Sequence, residues 1–211
     1  MLFLCTILYM LCMKKEAVME KIAILASGEG TNAERIIRYF RERGTAEVAL
    51  VVASRAEAGV VARAERLHVP CKVVPPAGFM SGEALALLRE CGIGFVVLAG
   101  FLSRIPDDIL HAYPRKVVNI HPSLLPKFGG KGMYGMRVHK AVLEAGEKES
   151  GITVQYVNEN YDEGDYIFQA RCPVVPGDSP ETLAGRVHQL EYRHYPEVVE
   201  KLLSEGGPTL A

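Results

Sequence analysis

The sequence lacks the cysteine patterns that build disulfide frameworks or zinc sites. Its five cysteines are Cys5, Cys12, Cys71, Cys91 and Cys172. This is an odd number, and no two of them form a C-x-x-C pair. Small secreted domains pair their cysteines at regular spacing, so this pattern favours a reducing compartment. We therefore expect a cytoplasmic protein with no bound metal.

The sequence also lacks an excess of charge of either sign. It carries 24 Lys and Arg residues against 25 Asp and Glu residues, a formal net charge of −1, and its basic residues are scattered. Sequence-independent binding of nucleic acid needs a positive surface that neutralises phosphates. The composition therefore predicts no nucleic-acid partner and favours small-molecule ligands.

The apolar run Leu2–Cys12 (LFLCTILYMLC) is too short to cross a bilayer, which takes about 20 residues. No Lys or Arg precedes it, and MKKEAVMEK follows it in place of a small-residue cleavage pattern. A complete first strand with a natural beginning starts at Met19. We therefore interpret residues 1–20 as a non-core extension, either a mis-assigned start or an unstructured tail, with a secretion signal as the less favoured reading. No membrane partner is expected.

From Lys21 onward, short apolar runs alternate with segments of helical periodicity, a pattern typical of a parallel sheet covered by helices. The predicted strands are KIAILAS, EVALVVAS, CKVV, GFVVLAG and KVVNIH. GFVVLAG is apolar on both faces, as expected at the centre of a sheet. We predict one α/β domain over residues 21–211, with a doubly wound, mostly parallel sheet.

The second half of the sequence predicts a hairpin, a loop and a long helix. GITVQYV and YIFQARCPV are close enough in sequence to form an antiparallel hairpin at the sheet edge. PSLLPKFGGKGMYGM holds four glycines and two prolines, which predicts an irregular loop of the kind that carries function. The last helix would begin with Ser179 as N-cap and Pro180 at its first position. Pro196 predicts a kink or a division of that helix.

A glycine-containing segment, Ala26–Asn32 (ASGEGTN), joins the first strand to the first helix. Gly28 and Gly30 allow a tight turn and a close approach to a ligand, while the unpaired N–H groups of the helix start attract anions. A dinucleotide site would also need an acidic residue just after the second strand, but that strand ends in VVASRAE. We therefore expect a single phosphate group here and rank an NAD-dependent oxidoreductase lower.

Two polar residues interrupt the apolar residues of the predicted strand KVVNIH. Asn119 and His121 are two positions apart and share one face, and Pro122 ends the strand. This places both side chains at the carboxyl edge of the sheet, where open α/β sheets bind ligands. The alternative is a structural histidine that the nearby backbone satisfies.

A carboxylate for this histidine is available from the turn NYDEGDY, which contains Asp162, Glu163 and Asp165. A carboxylate near the ring favours the imidazolium, and the Asn119 amide can donate a hydrogen bond to a developing oxyanion. No Ser or Cys stands in a nucleophile motif. The residues therefore predict acyl transfer to a nucleophile that the substrate carries. A metal site built from His121, His139 and the acids is the less favoured alternative, because recognised ligand spacing is absent.

Four segments, SGEGTN, VVLAGF, NIHPSLLPKF and the Asp-containing turn, closely resemble in order and spacing the phosphoribosylglycinamide formyltransferase family of folate-dependent enzymes. The resemblance extends over residues 21–203 and implies a Rossmann-like formyltransferase fold. It also implies transfer of the formyl group of 10-formyltetrahydrofolate to the amine of glycinamide ribonucleotide, a step of purine biosynthesis. These two small molecules are the expected partners, and a monomer or weak homodimer is expected.

The resemblance also implies roles for individual residues. Asn119, His121 and Asp162 match the catalytic trio, in which Asp162 supports a protonated His121 that stabilises the oxyanion. The residues expected to bind the phosphate and ribose of the nucleotide are Gly28, Glu29, Gly30, Thr31, Asn32 and Glu191. The residues expected to bind the folate are Phe101, Leu102, Ser103, Arg104, Ile105, Val157, Asn158, Tyr161 and Asp162. Many relatives carry an arginine where this sequence has Ser103, followed here by Arg104.

Three further functions share part of this pattern. A formyltetrahydrofolate deformylase would use the same trio with water as the acceptor. Methionyl-tRNA formyltransferase would need an additional domain and a basic surface, and we expect neither of these here. A non-catalytic nucleotide-binding module would not need the pair Asn119 and His121. A coupled assay of formyl transfer distinguishes these functions.

Overall fold

The computed structural model describes residues 19–205, so the apolar run Leu2–Cys12 lies outside the described residues. A seven-stranded sheet forms the centre of this described part, in the order β3-β2-β1-β4-β5-β6-β7. The strands are β1 (Glu20–Ala26), β2 (Ala46–Ala53), β3 (Cys71–Val73), β4 (Phe95–Leu98), β5 (Val117–His121), β6 (Glu149–Tyr156) and β7 (Tyr166–Pro173). Strands β1 to β5 are parallel, whereas β6 and β7 are antiparallel to their neighbours. The predicted sheet and its edge hairpin are confirmed.

Helices cover both faces of the sheet, which confirms the doubly wound prediction. In the described part they are α1 (Thr31–Arg43), α2 (Gly59–Arg66), α3 (Pro76–Met80), α4 (Glu83–Glu90), α5 (Asp107–Ala112), α6 (Met136–Glu144) and α7 (Pro180–Ser204). One apolar core joins the sheet to α1, α2, α6 and α7, and a second joins it to α3, α4 and α5. None of these helices is long and apolar enough to span a membrane.

Two helix termini follow the local sequence signals closely. Gly44 adopts a left-handed conformation after α1, and its N–H bonds to Phe40 O, as expected at a helix C-terminus. Ser179 caps α7 by accepting a hydrogen bond from the backbone N–H of Thr182. The short helix α3 was not predicted, because five residues that begin with Pro76 give too little periodicity.

Of the two alternatives predicted at Pro196, a kink or a division of the last helix, the division is wrong. Helix α7 continues through Pro196, although proline provides no N–H for the helical hydrogen bond. Pro196 is buried, and so are Tyr195, Val198 and Val199 around it. Tertiary packing therefore holds the helix together where local propensity would end it.

The strand order places a ligand crevice at one edge of the sheet. The chain moves from β1 to β2 and β3 on one side, and then returns to β4 and β5 on the other. The carboxyl ends of β1 and β4 are therefore neighbours at the point where the order reverses, which is where open α/β sheets bind ligands. The segments that leave β1, β4 and β5 all begin at this edge.

Helix α7 is fastened below this edge by one buried tyrosine. Tyr195 is fully buried, and its hydroxyl lies 2.8 Å from Leu98 O, at the carboxyl end of β4, and 3.3 Å from Val118 O in β5. We expect Tyr195→Phe to lower the free energy of unfolding by about 1 to 2 kcal/mol, because it removes this buried hydrogen bond. Urea unfolding measures the change. The matched control is Tyr166→Phe at an exposed position, and an equal change in both variants would contradict the role of the Tyr195 hydroxyl.

Candidate active site

A cavity of about 790 Å³ opens at this edge of the sheet, a volume typical of small-molecule sites. All residues predicted for catalysis, nucleotide binding or folate binding line it. They are Gly28, Glu29, Gly30, Thr31, Asn32, Phe101, Leu102, Ser103, Arg104, Ile105, Asn119, His121, Val157, Asn158, Tyr161, Asp162 and Glu191. The structure thus brings the three predicted groups into one cavity, while the individual role of each residue stays a prediction.

The loop after β1, which the sequence predicts to bind an anion and which is called the anion-binding loop below, leads into helix α1. Gly30 precedes α1 with φ 76°, and no side chain caps the first N–H groups of that helix. A Cβ atom at Gly30 would lie 2.6 Å from the Cβ of Val60, so the position requires glycine for both conformation and space. At Gly28 a Cβ would meet no atom within 4 Å. The exposed helix start can accept a phosphate group.

Glu191 joins this loop from helix α7. Asn32 Nδ2 donates a hydrogen bond to Glu191 Oε2 over 2.8 Å, although the two residues are far apart in sequence. Burial raises the pKa of the Glu191 carboxyl, and the hydrogen bond from Asn32 opposes part of that shift. Tyr195 lies one helical turn later and fixes the height of α7 against the sheet. Glu191 is therefore a buried hydrogen-bonding group at the cavity wall, next to the anion-binding loop.

His121 lies at the end of β5 with its ring between two acceptors. Its Nε2 is 2.8 Å from Phe128 O, and its Nδ1 is 3.4 Å from Asp162 Oδ2. A carbonyl oxygen only accepts hydrogen bonds, so Nε2 must carry a hydrogen to bond to Phe128 O. In a neutral ring Nδ1 would then be unprotonated, and its lone pair would face the Asp162 carboxylate. The doubly protonated imidazolium satisfies both contacts. The surroundings of the ring therefore suit a positive charge at the cavity wall.

The Asp162 carboxylate accepts two hydrogen bonds besides its contact with His121. Its Oδ2 accepts a hydrogen bond from Gly130 N over 2.9 Å, and its Oδ1 accepts one from Gln155 Nε2 over 3.0 Å. Its backbone adopts φ 58°, which is unusual for a residue other than glycine. The turn therefore presents this carboxylate to His121 in one defined orientation.

The structure distinguishes Asp162 from the other two acids of the same turn. Asp165 pairs with Arg115 over 2.7 Å on the surface, and neither Glu163 nor Asp165 lines the cavity. Within residues 19–205 there is no group of three or more His, Cys, Asp or Glu side chains that could hold a metal ion. Of the three carboxylates that the sequence left open, the geometry therefore selects Asp162 as the partner of His121.

A buried serine connects the nucleotide side to the expected folate side. Ser27 Oγ accepts hydrogen bonds from Ser54 Oγ over 2.8 Å and from Leu102 N over 3.1 Å. Arg104 donates to Glu159 O over 3.0 Å and pairs with Asp107 over 2.6 Å. The segment after β4 is thereby tied to both the anion-binding loop and the turn that carries Asp162.

The cavity residues that sequence reasoning did not assign to catalysis or substrate binding include Gln155, His139, His188 and Tyr192. Gln155 could have been found, because it alternates with apolar residues in TVQY and so shares a face of its strand with Thr153. His188 and Tyr192 lie on the same face of α7 as Glu191, at helical spacing. His139 was considered only as a metal ligand, since nothing local places it near the cavity.

His139 provides a pH-dependent test of this arrangement. It is almost fully buried, and burial lowers its pKa from 6.5 to about 4, with smaller contributions from His188 and His121. The unfolded chain therefore binds more protons than the native one between about pH 4 and 6.5, so stability is complete above pH 6.5 and declines as the pH falls through this window. We expect up to roughly 3 kcal/mol of this decline to depend on His139. Measured by urea unfolding, the stability of His139→Gln should decline less steeply with falling pH than that of the wild type. The control His111→Gln, at an exposed position, should follow the wild type. Parallel stability curves for all three proteins would contradict the assignment to His139.

The chain was compared with protein families and with curated relatives. The family model described as Formyl transferase matches residues 20–199. The chain is 40% identical over 193 residues to the chloroplastic phosphoribosylglycinamide formyltransferase of Arabidopsis thaliana, covering 88% of this chain and 66% of the plant protein. It is 38% identical over 191 residues to the phosphoribosylglycinamide formyltransferase of Bacillus subtilis, covering 88% of this chain and 95% of the bacterial one. The chain thus spans just under two thirds of its plant relative and nearly all of its bacterial one.

Solved structures give the same result. The glycinamide ribonucleotide transformylase 1 of Symbiobacterium toebii superposes with a TM-score of 0.83 at 35% identity, covering 93% of this chain and 92% of the other. That of Geobacillus kaustophilus gives 0.79 at 40% identity, covering 88% and 99%. The same residues that fold into the sheet and surround the cavity carry the match. The chain belongs to the formyl transferase family.

Proposed function

We propose that the protein transfers the formyl group of 10-formyltetrahydrofolate to the amine of glycinamide ribonucleotide in purine biosynthesis. The observation that carries this proposal is the single cavity shared by an anion-binding loop, a buried carboxyl at Glu191 and the polar group of Asn119, His121 and Asp162. The first two features suit a ribonucleotide phosphate and ribose, and the third suits acyl transfer. The curated relatives that carry this name support the choice of substrates.

In this reaction the substrate amine attacks the formyl carbon, the bond from that carbon to the folate nitrogen breaks, and negative charge develops on the formyl oxygen. Asn119 would stabilise this charge through its amide N–H, and His121 through its positive charge. Asp162 would keep His121 protonated, because its carboxylate faces Nδ1. The proton released by the amine is required by the folate nitrogen, so the overall transfer needs no external acid or base.

The two substrates would occupy different parts of the cavity, according to the chemistry of the lining residues. The start of α1 and the loop Gly28–Asn32 would bind the phosphate, and Glu191 would accept hydrogen bonds from ribose hydroxyls. The segment Phe101–Ile105 and the turn that contains Asn158 and Tyr161 would hold the folate. No metal takes part, and the donor is consumed as a co-substrate.

The direct test is an absorbance assay of folate conversion with purified protein, 10-formyltetrahydrofolate and glycinamide ribonucleotide. We expect conversion only when both substrates are present. Release of formate without the nucleotide would identify a deformylase and contradict the proposed transfer. Binding of nucleotide without any conversion would identify a non-catalytic module.

We further propose that the protein works in the cytoplasm as a monomer or weak homodimer, without nucleic acid or membrane partners. The near-neutral net charge and the unpaired cysteine pattern support this proposal. Equilibrium sedimentation of the full chain tests the oligomeric state.

The proposed role of Asp162 predicts a large loss of turnover in Asp162→Asn. The change keeps the shape of the side chain but removes the charge that faces His121, so we expect kcat to fall roughly 10²- to 10⁴-fold while nucleotide binding stays nearly unchanged. The matched control is Asp165→Asn in the same turn, which breaks only an exposed ion pair with Arg115 and should leave kcat within a few-fold of the wild type.

Adding His121→Asn to Asp162→Asn should reduce kcat little further, because the two side chains act as one unit. Turnover of Asp162→Asn within a few-fold of the wild type, with intact nucleotide binding, would remove the catalytic role of this carboxylate.

The proposed phosphate site predicts a selective loss of nucleotide binding in Gly28→Leu. Space is open around this position, so the new side chain should enter the cavity without disturbing the fold, unlike a substitution at Gly30 that would collide with Val60. We expect nucleotide affinity to fall at least roughly tenfold while folate affinity changes little, as measured by titration with each ligand. Gly185→Leu, on the exposed side of α7 with equally open space, is the control. Unchanged nucleotide affinity in Gly28→Leu would refute the phosphate assignment.

A further inference from the structure

Gln155 is a buried polar residue that contacts the proposed catalytic group and that sequence reasoning did not identify. It is 2% exposed, lines the cavity and lies opposite Asn119 in the antiparallel pairing of β5 with β6. Residues paired in this way project from the same face of the sheet, so the amides of Gln155 and Asn119 stand side by side. Gln155 therefore belongs to the polar layer around His121.

The Gln155 amide has one satisfied end and one unsatisfied end. Its Nε2 donates to Asp162 Oδ1 over 3.0 Å, whereas its Oε1 is buried without a hydrogen-bond partner among the described residues. The amide cannot turn round, because Oε1 would then face an ionised carboxylate that offers no hydrogen. A buried unsatisfied carbonyl destabilises the folded state, and an apolar side chain of similar length would avoid that cost. The hydrogen bond that Nε2 donates to Asp162 therefore accounts for a glutamine at this position.

Without Gln155, Asp162 Oδ1 would lose the only side-chain hydrogen-bond donor that residues 19–205 supply to it. The remaining contacts, Gly130 N and His121 Nδ1, both address Oδ2. A carboxylate held at one oxygen can rotate about its terminal bond, which moves the charge relative to the imidazole. The hydrogen bond from Gln155 thus defines the plane in which Asp162 meets His121.

We propose that Gln155 is a positioning residue for formyl transfer, which orients the Asp162 carboxylate towards His121 by donating Nε2–H to Oδ1. This inference rests on the proposed function of the trio Asn119, His121 and Asp162. It makes Gln155 important for turnover and not for holding either substrate.

The first test is Gln155→Met, which keeps the length of the side chain and removes the donor. We expect kcat to fall roughly 10- to 100-fold, the effect of losing one hydrogen bond to a charged group, while KM for each substrate changes less than about twofold. The comparison variant is Gln169→Met on β7. Gln169 donates to Leu125 O and Thr153 Oγ1 outside the cavity, so its loss should lower thermal stability with little effect on kcat.

The second test is Gln155→Glu, which separates orientation from packing. An ionised carboxylate here would repel Asp162 and lower kcat, but a protonated one can donate its O–H to Asp162 Oδ1 and restore the contact. The ratio of variant to wild-type kcat should therefore rise as the pH falls from 8 to 6. The titratable groups that face position 155 are Asp162 and, next to it, His121, with His139 beyond, and dividing by the wild-type kcat corrects for the pH effects that the two proteins share.

The outcomes distinguish this inference from the proposed function. A wild-type protein without formyl transfer would refute the function. If the wild type is active, three results would each overturn the positioning role alone. They are a kcat of Gln155→Met within twofold of the wild type, an equal loss of kcat in Gln169→Met, and a ratio of Gln155→Glu to wild-type kcat that stays constant across pH. Thermal unfolding and nucleotide titration of every variant establish that it is folded.

Discussion

The contact between the His121 imidazole and the Asp162 carboxylate is the interaction on which the rest of the site depends. His121 ends a parallel strand, whereas Asp162 stands in a left-handed turn after β6. The loop that follows β5 completes the contact, because Phe128 O binds one ring nitrogen and Gly130 N binds the carboxylate. Strand, turn and loop must all be in place before the two side chains can meet.

Buried polar atoms near this pair lower the stability of the fold. Three buried side-chain polar atoms among the described residues have no hydrogen-bond partner, and two of them, Gln155 Oε1 and His139 Nδ1, belong to residues that line the cavity. Most buried polar groups in folded proteins are paired, so unsatisfied ones point to positions where function limits packing. The apolar layers on the two faces of the sheet supply the stability that allows this local cost.

Helix α7 serves both the core and the site. Its apolar side packs Leu183, Val187 and Val199 against the sheet, and Tyr195 fixes its height below β4 and β5. With the helix so placed, Glu191 reaches Asn32 and borders the cavity. This dual use explains why the helix continues through Pro196: the turns on both sides of the proline are held by buried contacts.

The sequence by itself determined the parallel sheet, its edge hairpin, the loop after β1 and the polar end of β5, because each depends on residue spacing within one short segment. Residue spacing alone could not choose among Asp162, Glu163 and Asp165, a choice that only the family resemblance made, and it did not identify Gln155 as the donor to the carboxylate. Those choices depend on the pairing of β5 with β6 and on the path of the loop that reaches Gly130, which are contacts between distant segments. Local periodicity reports which face a side chain occupies, but only the assembled sheet decides which side chains share that face and at what distance.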